Sequence, residues 1–257
     1  MRNEFKYLVP NEQLNDLRKS ILSFVNEDPH SPELTWHREY NVRSIYFDNT
    51  NFDYYWEKQH GIKTRKKIRV RGYNHLEDVP DGNPLVFLEV KRKEIDFISK
   101  NRSKVKFKDL AALLKTGDIE QYVVNSQDEK VHDEASRFLY HYKRKNLRPV
   151  VLVVYEREAF FSKFDPQFRL SIDKHIRSML FPGIDQLFCD EGLESSIFND
   201  FVLELKFTGA FPAWMSDILF RYKLRRQAVS KYKISLDRHR IFKTKDRLKV
   251  YSMNNLL

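Results

Sequence analysis

Glutamate and lysine stand two residues apart at Glu4 and Lys6, at Glu89 and Lys91, and at Glu204 and Lys206. Basic residues repeat at the same spacing in Lys67, Arg69 and Arg71 and in Lys231 and Lys233, and Arg169 precedes Asp173 by four. In an extended chain, residues two apart share a face. Each stretch therefore presents one ionic face, backed by apolar neighbours such as Ile68 and Val70, Leu88 and Val90, or Leu203 and Leu205. Arginine brings planar bidentate donors and lysine a point charge, each charge-assisted hydrogen bond being worth about 1.5–3 kcal/mol. Such a set suits anions rich in oxygen, phosphate chains above all. Glutamates add nothing to holding an anion alone; they fit as ligands for Mg²⁺ or Mn²⁺, which bridge phosphate oxygens and use few protein carboxylates.

Periodicity alone is equally compatible with an ordinary sheet that has one wet face. Wet faces, however, carry Thr, Ser, Gln and Tyr as well as charge, whereas these positions are nearly all Lys, Arg or Glu. If the sheet closes with its apolar side outward, the ionic face becomes an interior. Uncompensated buried charge costs several kcal/mol per ion, on the order of what a whole domain has to spare, so such an interior holds water and anions.

The elements that must position these residues are mainly strands. Period-two patterns cover Asn3–Val9, Tyr40–Phe47, Lys67–Tyr73, Leu85–Arg92, Ser103–Phe107, Val150–Phe161, Phe168–Asp173, Phe201–Phe207 and Ser230–Leu236. Asp78–Pro84 (DVPDGNP) has the length and composition of a hairpin loop joining the third and fourth of them. Helical stripes occur at Leu14, Leu17, Ile21, Leu22 and Val25 after an Asn11 cap, and at Leu110–Leu114 ending on Gly117. Two more run through Val131, Ala135, Phe138, Leu139 and Tyr142, and through Met215, Ile218, Leu219 and Tyr222 after Pro212. They read as faces packed on the core. Strands are not separated by regular helices, which disfavours a doubly wound parallel sheet. The expected fold is α+β: an antiparallel closed β-barrel of about eight strands with helices packed outside, formed by residues 1–240 and followed by a basic tail, 241–257.

The net charge of +10 points to a polyanionic partner. The seven glycines form neither a P-loop nor GxGxxG, so phosphates must be held by side chains. No HxH, HExxH or GxSxG is present, and one cysteine makes a zinc site improbable and an internal disulfide impossible. With no apolar run of membrane-spanning length and no signal-peptide pattern in MRNEFKYLVP, a cytoplasmic location is expected. The basic residues Arg240, Lys243, Lys245, Arg247 and Lys249 read as a solvated tail, and no specific nucleic-acid partner is expected.

Eight segments in order carry a resemblance: RNEFKY (Arg2–Tyr7), SIYFDN (Ser44–Asn49), KIRVRGY (Lys67–Tyr73), FLEVKRK (Phe87–Lys93), RPVVLVVYEREAF (Arg148–Phe160), FRLSID (Phe168–Asp173), FVLELKF (Phe201–Phe207) and SKYKISL (Ser230–Leu236). Together they resemble the polyphosphate-polymerase (vacuolar transporter chaperone, VTC) domain of the triphosphate tunnel metalloenzyme, or CYTH, superfamily. The resemblance implies an eight-stranded tunnel whose inward cations bind the triphosphate of ATP and inorganic polyphosphate. By motif, Lys6, Arg69, Arg71, Lys91, Arg157, Arg169, Lys206 and Lys231 would be phosphate ligands, with Lys104 of SKVKF a further tunnel lysine. Glu204 would hold Mn²⁺ or Mg²⁺, helped by Glu4 and Glu89.

The implied activity is transfer of the γ-phosphoryl of ATP to a growing polyphosphate chain. Arg69, Arg71 and Arg169 would orient phosphates, and Lys91 and Lys206 would neutralise them. An inorganic triphosphatase or polyphosphatase in the same tunnel, or a non-catalytic polyphosphate-binding subunit, are the rival readings. The wider superfamily opens with Glu-x-Glu-x-Lys, but the first of these positions is Arg2 here. Loss of that carboxylate shifts the expectation from hydrolysis toward synthesis. The motif begins almost at Met1, so no preceding SPX domain is expected, and regulation and export would need other proteins, including a membrane-protein partner.

Overall fold

The computed structural model describes residues 2–28, 39–74, 78–79, 82–94 and 97–242. The alternating segments form eight long strands: β1 (Arg2–Pro10), β3 (Glu39–Asp48), β4 (Thr64–Tyr73), β5 (Leu85–Glu94), β6 (Phe97–Lys106), β7 (Arg148–Ser162), β8 (Arg169–Leu180) and β10 (Asp200–Thr208). Short strands β2 (Val25–Glu27) and β9 (Glu194–Ser195) add to β7 and β8. All belong to one antiparallel sheet, in the order β1-β10-β8-β7-β3-β4-β5-β6. β4 and β5 are the expected hairpin partners, although residues 75–77, 80 and 81 of the connection lie outside the described residues.

The helices are α1 (Leu14–Leu22), α2 (Asp53–Gln59), α3 (Leu110–Thr116), α4 (Ile119–Tyr122), α5 (Glu129–Arg144), α6 (Ala213–Arg221) and α7 (Lys231–Arg238). α3 stops at Gly117, whose φ of 80° is the left-handed conformation that a glycine adopts without strain. Asn11 does not cap α1; it opens a short 3-10 turn and its amide donates to the Phe198 carbonyl at 3.2 Å. Val25 belongs to β2 rather than to α1.

The largest departure is at Ser230–Leu236, expected as a strand and found as the start of α7. Tyr232, Ile234 and Leu236 alternate with polar residues, but Tyr232, Ser235 and Leu236 also fall on one helical face, and these are buried together with Lys231 of the first turn. The Ser230 hydroxyl accepts the Lys233 N–H, giving the helix its N-cap. Asp48 fixes α7 to the sheet: its carboxylate accepts the Tyr232 hydroxyl at 2.5 Å and the Tyr54 and Tyr55 N–H groups of α2.

Helices cover the apolar side of the sheet. One core gathers Ile45, Ile68, Val70, Leu88 and Val90 with α2, α3, α5 and α7; a second gathers Tyr7, Leu203, Leu205 and Ile172 with α1 and α6. The ionic faces are thereby left inside, as expected. Backbone pairing does not close the barrel, however: among the described residues its path ends at β1 and β6. Both edges are already engaged. Gln227 N–H bonds the Lys6 carbonyl of β1 at 2.8 Å, and Val124 N–H bonds the Lys104 carbonyl of β6 at 2.9 Å, so each edge strand accepts a bond from a segment outside the sheet. The sheet is rolled far enough for Lys91 on β5 to reach Glu4 on β1 at 2.7 Å.

Candidate anion-binding site

The rolled sheet encloses a cavity of about 330 Å³. Period two sends Lys67, Arg69 and Arg71 of β4 into it, together with Glu4 and Lys6 of β1, Lys91 of β5, Arg157 of β7, and Glu204 and Lys206 of β10. Lys231 arrives from the first turn of α7 rather than from a strand. Lys100 of β6 and the hydroxyls of Tyr46 and Tyr155 complete the wall.

The carboxylates are held between cations. Glu4 meets Lys6 at 2.9 Å and Lys91 at 2.7 Å; Glu204 meets Lys6 at 3.3 Å and also Lys206. Glu89, fully buried, receives Arg69 at 2.6 Å on one oxygen, and Lys100 at 2.6 Å and Arg102 at 3.2 Å on the other. Asp173, also fully buried, takes a bidentate bond from Arg157 at 2.6 and 2.8 Å and an ion pair from Lys231. Among the described residues, two of the cavity's cations have no carboxylate partner. Lys67 donates to the Ser230 hydroxyl at 2.7 Å, and Arg71 to the Ser44 hydroxyl at 3.1 Å and the Tyr155 hydroxyl at 3.4 Å.

The electrostatics follow from this geometry. Burial opposes ionisation of Glu204, but Lys206, Lys6, Arg157 and Lys231 overcome it and hold the carboxyl well below its usual range. Glu4 and Glu89 are shifted the same way, against their own burial, by Lys6 and Lys91 and by Arg69, Arg71 and Lys100 respectively. Lys67 is the opposite case: burial, then Lys6, Lys91, Arg69 and Lys58, push its amine far down. Lys91 is lowered chiefly by burial, and burial brings Lys100 down to about 8 despite Glu89. Nine lysine and arginine side chains thus line a space in which four carboxylates are already engaged, and the surplus positive charge is a demand for anions.

Most of the residues singled out from sequence meet here, but Lys104 and Arg169 do not join them in the centre. Lys104 and Lys100 share a parity on β6 and both are exposed, but Lys100, four residues earlier, is the one that lines the cavity, where it pairs with Glu89. Arg169 is exposed at a second opening of about 150 Å³, its guanidinium 4.4 Å from the centre of the Phe161 ring. Lys67, Lys100, Tyr46, Tyr155 and Asp173 were not picked out as site residues, although Lys67 shares a face with Arg69, and Asp173 with Arg169. The side chain of Arg2 lies outside the described residues, as do Lys243, Lys245, Arg247 and Lys249.

For a divalent metal, Glu4 and Glu204 are the matched pair, since Lys6 bridges them; Glu89 sits apart with Arg69 and Lys100. Among the described residues no three or more His, Cys, Asp or Glu side chains form a cage for an ion. The donor set fits a metal that takes its remaining ligands from phosphate and water.

The family model for the VTC domain matches residues 1–239. The chain belongs to the VTC domain family. That span contains every cavity residue described above. The VTC domain is 25% identical over 195 residues to vacuolar transporter chaperone complex subunit 4 of Schizosaccharomyces pombe, covering 68% of this chain and 26% of that protein. It is 27% identical over 153 residues to subunit 2 of the Saccharomyces cerevisiae complex, covering 52% and 18%. The chain thus spans about a quarter or less of the length of these curated relatives. Similar solved structures include the PH1819 protein of Pyrococcus horikoshii OT3, with 13% identity, 92% and 99% coverage and a TM-score of 0.45. A putative adenylate cyclase of Vibrio parahaemolyticus gives 14%, 91% and 96%, and 0.41.

Proposed function

We propose that this VTC domain is an ATP-dependent polyphosphate polymerase that transfers the γ-phosphoryl group of ATP to the end of a polyphosphate chain lying in the cavity. A terminal oxygen of the chain attacks the γ-phosphorus, the bond to the β–γ bridging oxygen breaks, and its electron pair leaves on ADP. The attacking oxygen is already anionic, so no general base is required. Catalysis then rests on positioning and on neutralising charge spread over the transferring group.

Arg69 and Arg71, adjacent on one face of β4, orient phosphates, with Arg169 doing so at the opening. Lys91, Lys206 and Lys6 neutralise them, leaving their carboxylates as they turn to the substrate; Arg157 and Lys231 bind further phosphates beside Asp173. Glu204 and Glu4, released in this way, would hold Mn²⁺ or Mg²⁺, which when bound supplies Lewis-acid stabilisation of phosphate oxygens. The observation that carries the reading is the surplus of inward cations, with Lys67 and Arg71 held, among the described residues, by hydroxyls alone. It fits synthesis better than hydrolysis because Glu89 and Asp173 stay tied to their own cations, and Glu4 and Glu204, once released, would be taken up by the metal, so none of the four carboxylates is left as a base for water.

Among the described residues no helix is long and apolar enough to cross a membrane, and the matched relatives are subunits of a complex. A cytoplasmic setting and a membrane-protein partner for export belong to the proposal. The test is incubation of the pure protein with ATP and Mn²⁺, with products separated on a gel that resolves long polyphosphate. Polymer with ADP supports the reading. Orthophosphate with ADP would make the domain a triphosphatase, and binding without turnover a polyphosphate-binding subunit.

A further inference from the structure

The β4–β5 hairpin carries three successive rungs of like charge. Arg65 stands opposite Lys93, Lys66 opposite Arg92, and Lys67 opposite Lys91. Like charges directly across a strand pair destabilise the sheet unless something lies between them. Because the pleat alternates, the outer rungs of this triplet face inward and the middle one faces the opposite way, toward α5. The inward rungs, with Lys58 and Arg226, ring a basic opening of about 350 Å³ that shares Lys6, Lys67 and Lys91 with the central cavity. Lys66 lines this opening and also lines a separate external cleft of about 390 Å³.

That cleft lies between the outer face of the hairpin and α5, with Arg92, Arg137, Ser136 and His141 around it. Its one carboxylate, Asp133, is engaged with Arg137 at 3.6 Å. Arg92 lines the cleft, and its Nε is shielded from solvent and has no hydrogen-bond partner among the described residues, an unmet donor beside a cationic cleft. His141 is pushed down to about 4 by burial and by Lys66, Arg92, Arg144 and Lys145, so the cleft senses at least four cations from β4, β5 and the end of α5.

We infer that the cleft is an external polyphosphate subsite, reached over Lys66, onto which a chain extends after leaving the central cavity by the Lys58–Arg226 opening. It rests on the reading of the cavity as a polyphosphate site and deepens it. A chain long enough to occupy both places is held by two linked sites, so the second engagement is intramolecular and tightens the whole. Short phosphates fill only the cavity. The domain therefore favours long chains over short ones and retains a growing product, although none of the cleft residues touches the reacting groups.

The experiment compares tripolyphosphate with long-chain polyphosphate by calorimetry, for the wild-type chain and for the Lys66→Gln, Arg92→Gln double variant. Tripolyphosphate affinity is expected to stay within a factor of about two, and long-chain affinity to fall about tenfold. The slope of log affinity against log salt for long chains should flatten by about two, one for each lost phosphate contact. Arg137→Gln, on the exposed face of α5 where it cannot upset the sheet, should weaken long-chain binding alone, about threefold. The inference is overturned if the variants bind long chains as wild type does, or if tripolyphosphate weakens as much as the long chain. Failure of the wild-type protein to bind tripolyphosphate would instead overturn the cavity reading, and the extension with it.

Discussion

Lys67 and Lys91 stand directly opposite each other on β4 and β5 with both amines in the cavity, and of the two only Lys91 has a carboxylate, Glu4, within reach. Two ammonium groups so placed raise each other's free energy, and burial adds to the cost; both are lowered, Lys67 the more strongly. An anion entering between them reverses the effect. The same holds for Lys100, brought down to about 8.

A pH dependence follows. In the free protein Lys100 is half protonated near pH 8. A bound phosphate favours its charged form, so its value in the complex is higher, and affinity is full below pH 8 and falls as pH rises through it. The slope approaches about tenfold per pH unit for each proton linked to binding. Calorimetry at this pH in two buffers of different ionisation heat should show protons taken up on binding tripolyphosphate. Equal apparent heats in both buffers would contradict it.

Glu204→Ala separates catalysis from binding. The carboxylate neutralises Lys206 and Lys6 and is held ionised by them. Removing it leaves those lysines free for phosphate, so tripolyphosphate should bind metal-free protein at least as tightly as before. Polymer formation with Mn²⁺, by contrast, should drop at least about a hundredfold, on the order of a lost charge-stabilising group. A variant that makes as much polymer as wild type would remove Glu204 from any metal role.

The long strands and their ionic faces were legible because a period of two is a strong signal when it places Lys, Arg and Glu against Ile, Val and Leu. Depth along a strand was not. Lys100 and Lys104 have the same parity on β6 and are both exposed, and only the three-dimensional curl brings Lys100 to the cavity wall and leaves Lys104 off it. α7 was misread because KYKISL satisfies both periods; the Ser230 cap is local, but the contact that fixes the helix to the sheet, Tyr232 bonding Asp48, joins positions far apart in the chain. Its consequence is local: Lys231 still enters the cavity, but from a helix end. Closure of the barrel was beyond sequence because pairing of β1 with β6 is a long-range relation that period two does not encode; among the described residues the strand path ends at these two.

Gly72 of KIRVRGY offers a test of the outer packing. A Cβ added there would lie 2.6 Å from Phe188 Cζ and 3.0 Å from its Cε1, and Phe188 is buried. Gly72→Ala must displace that ring and should destabilise by about 1–3 kcal/mol, the usual range for overpacking. Denaturant unfolding would register this as a lower midpoint at unchanged slope. Because the added methyl points away from Arg71, tripolyphosphate affinity at a temperature where the variant is folded should be unchanged.

Asp173→Asn tests the anchor of the other wall. The carboxylate is fully buried and is the shared partner of Arg157 and Lys231. Burial opposes its charge, but Arg157 and Lys231 prevail and lower its pKa. A depressed carboxyl stabilises the fold above its unfolded value of 3.8, and that contribution is lost as pH falls through the lower native value. The amide keeps the shape but leaves two buried cations facing each other, and breaking a buried pair in this way costs about 3–5 kcal/mol. Thermal melts near neutral pH should therefore show a clear drop in Tm, and the gap from wild type should close as the solution is acidified below the carboxylate range. Tripolyphosphate can supply the missing negative charge to Arg157 and Lys231, so it should raise the Tm of the variant more than that of the wild type. Equal increments would mean that these two cations serve the protein's own architecture and not the ligand.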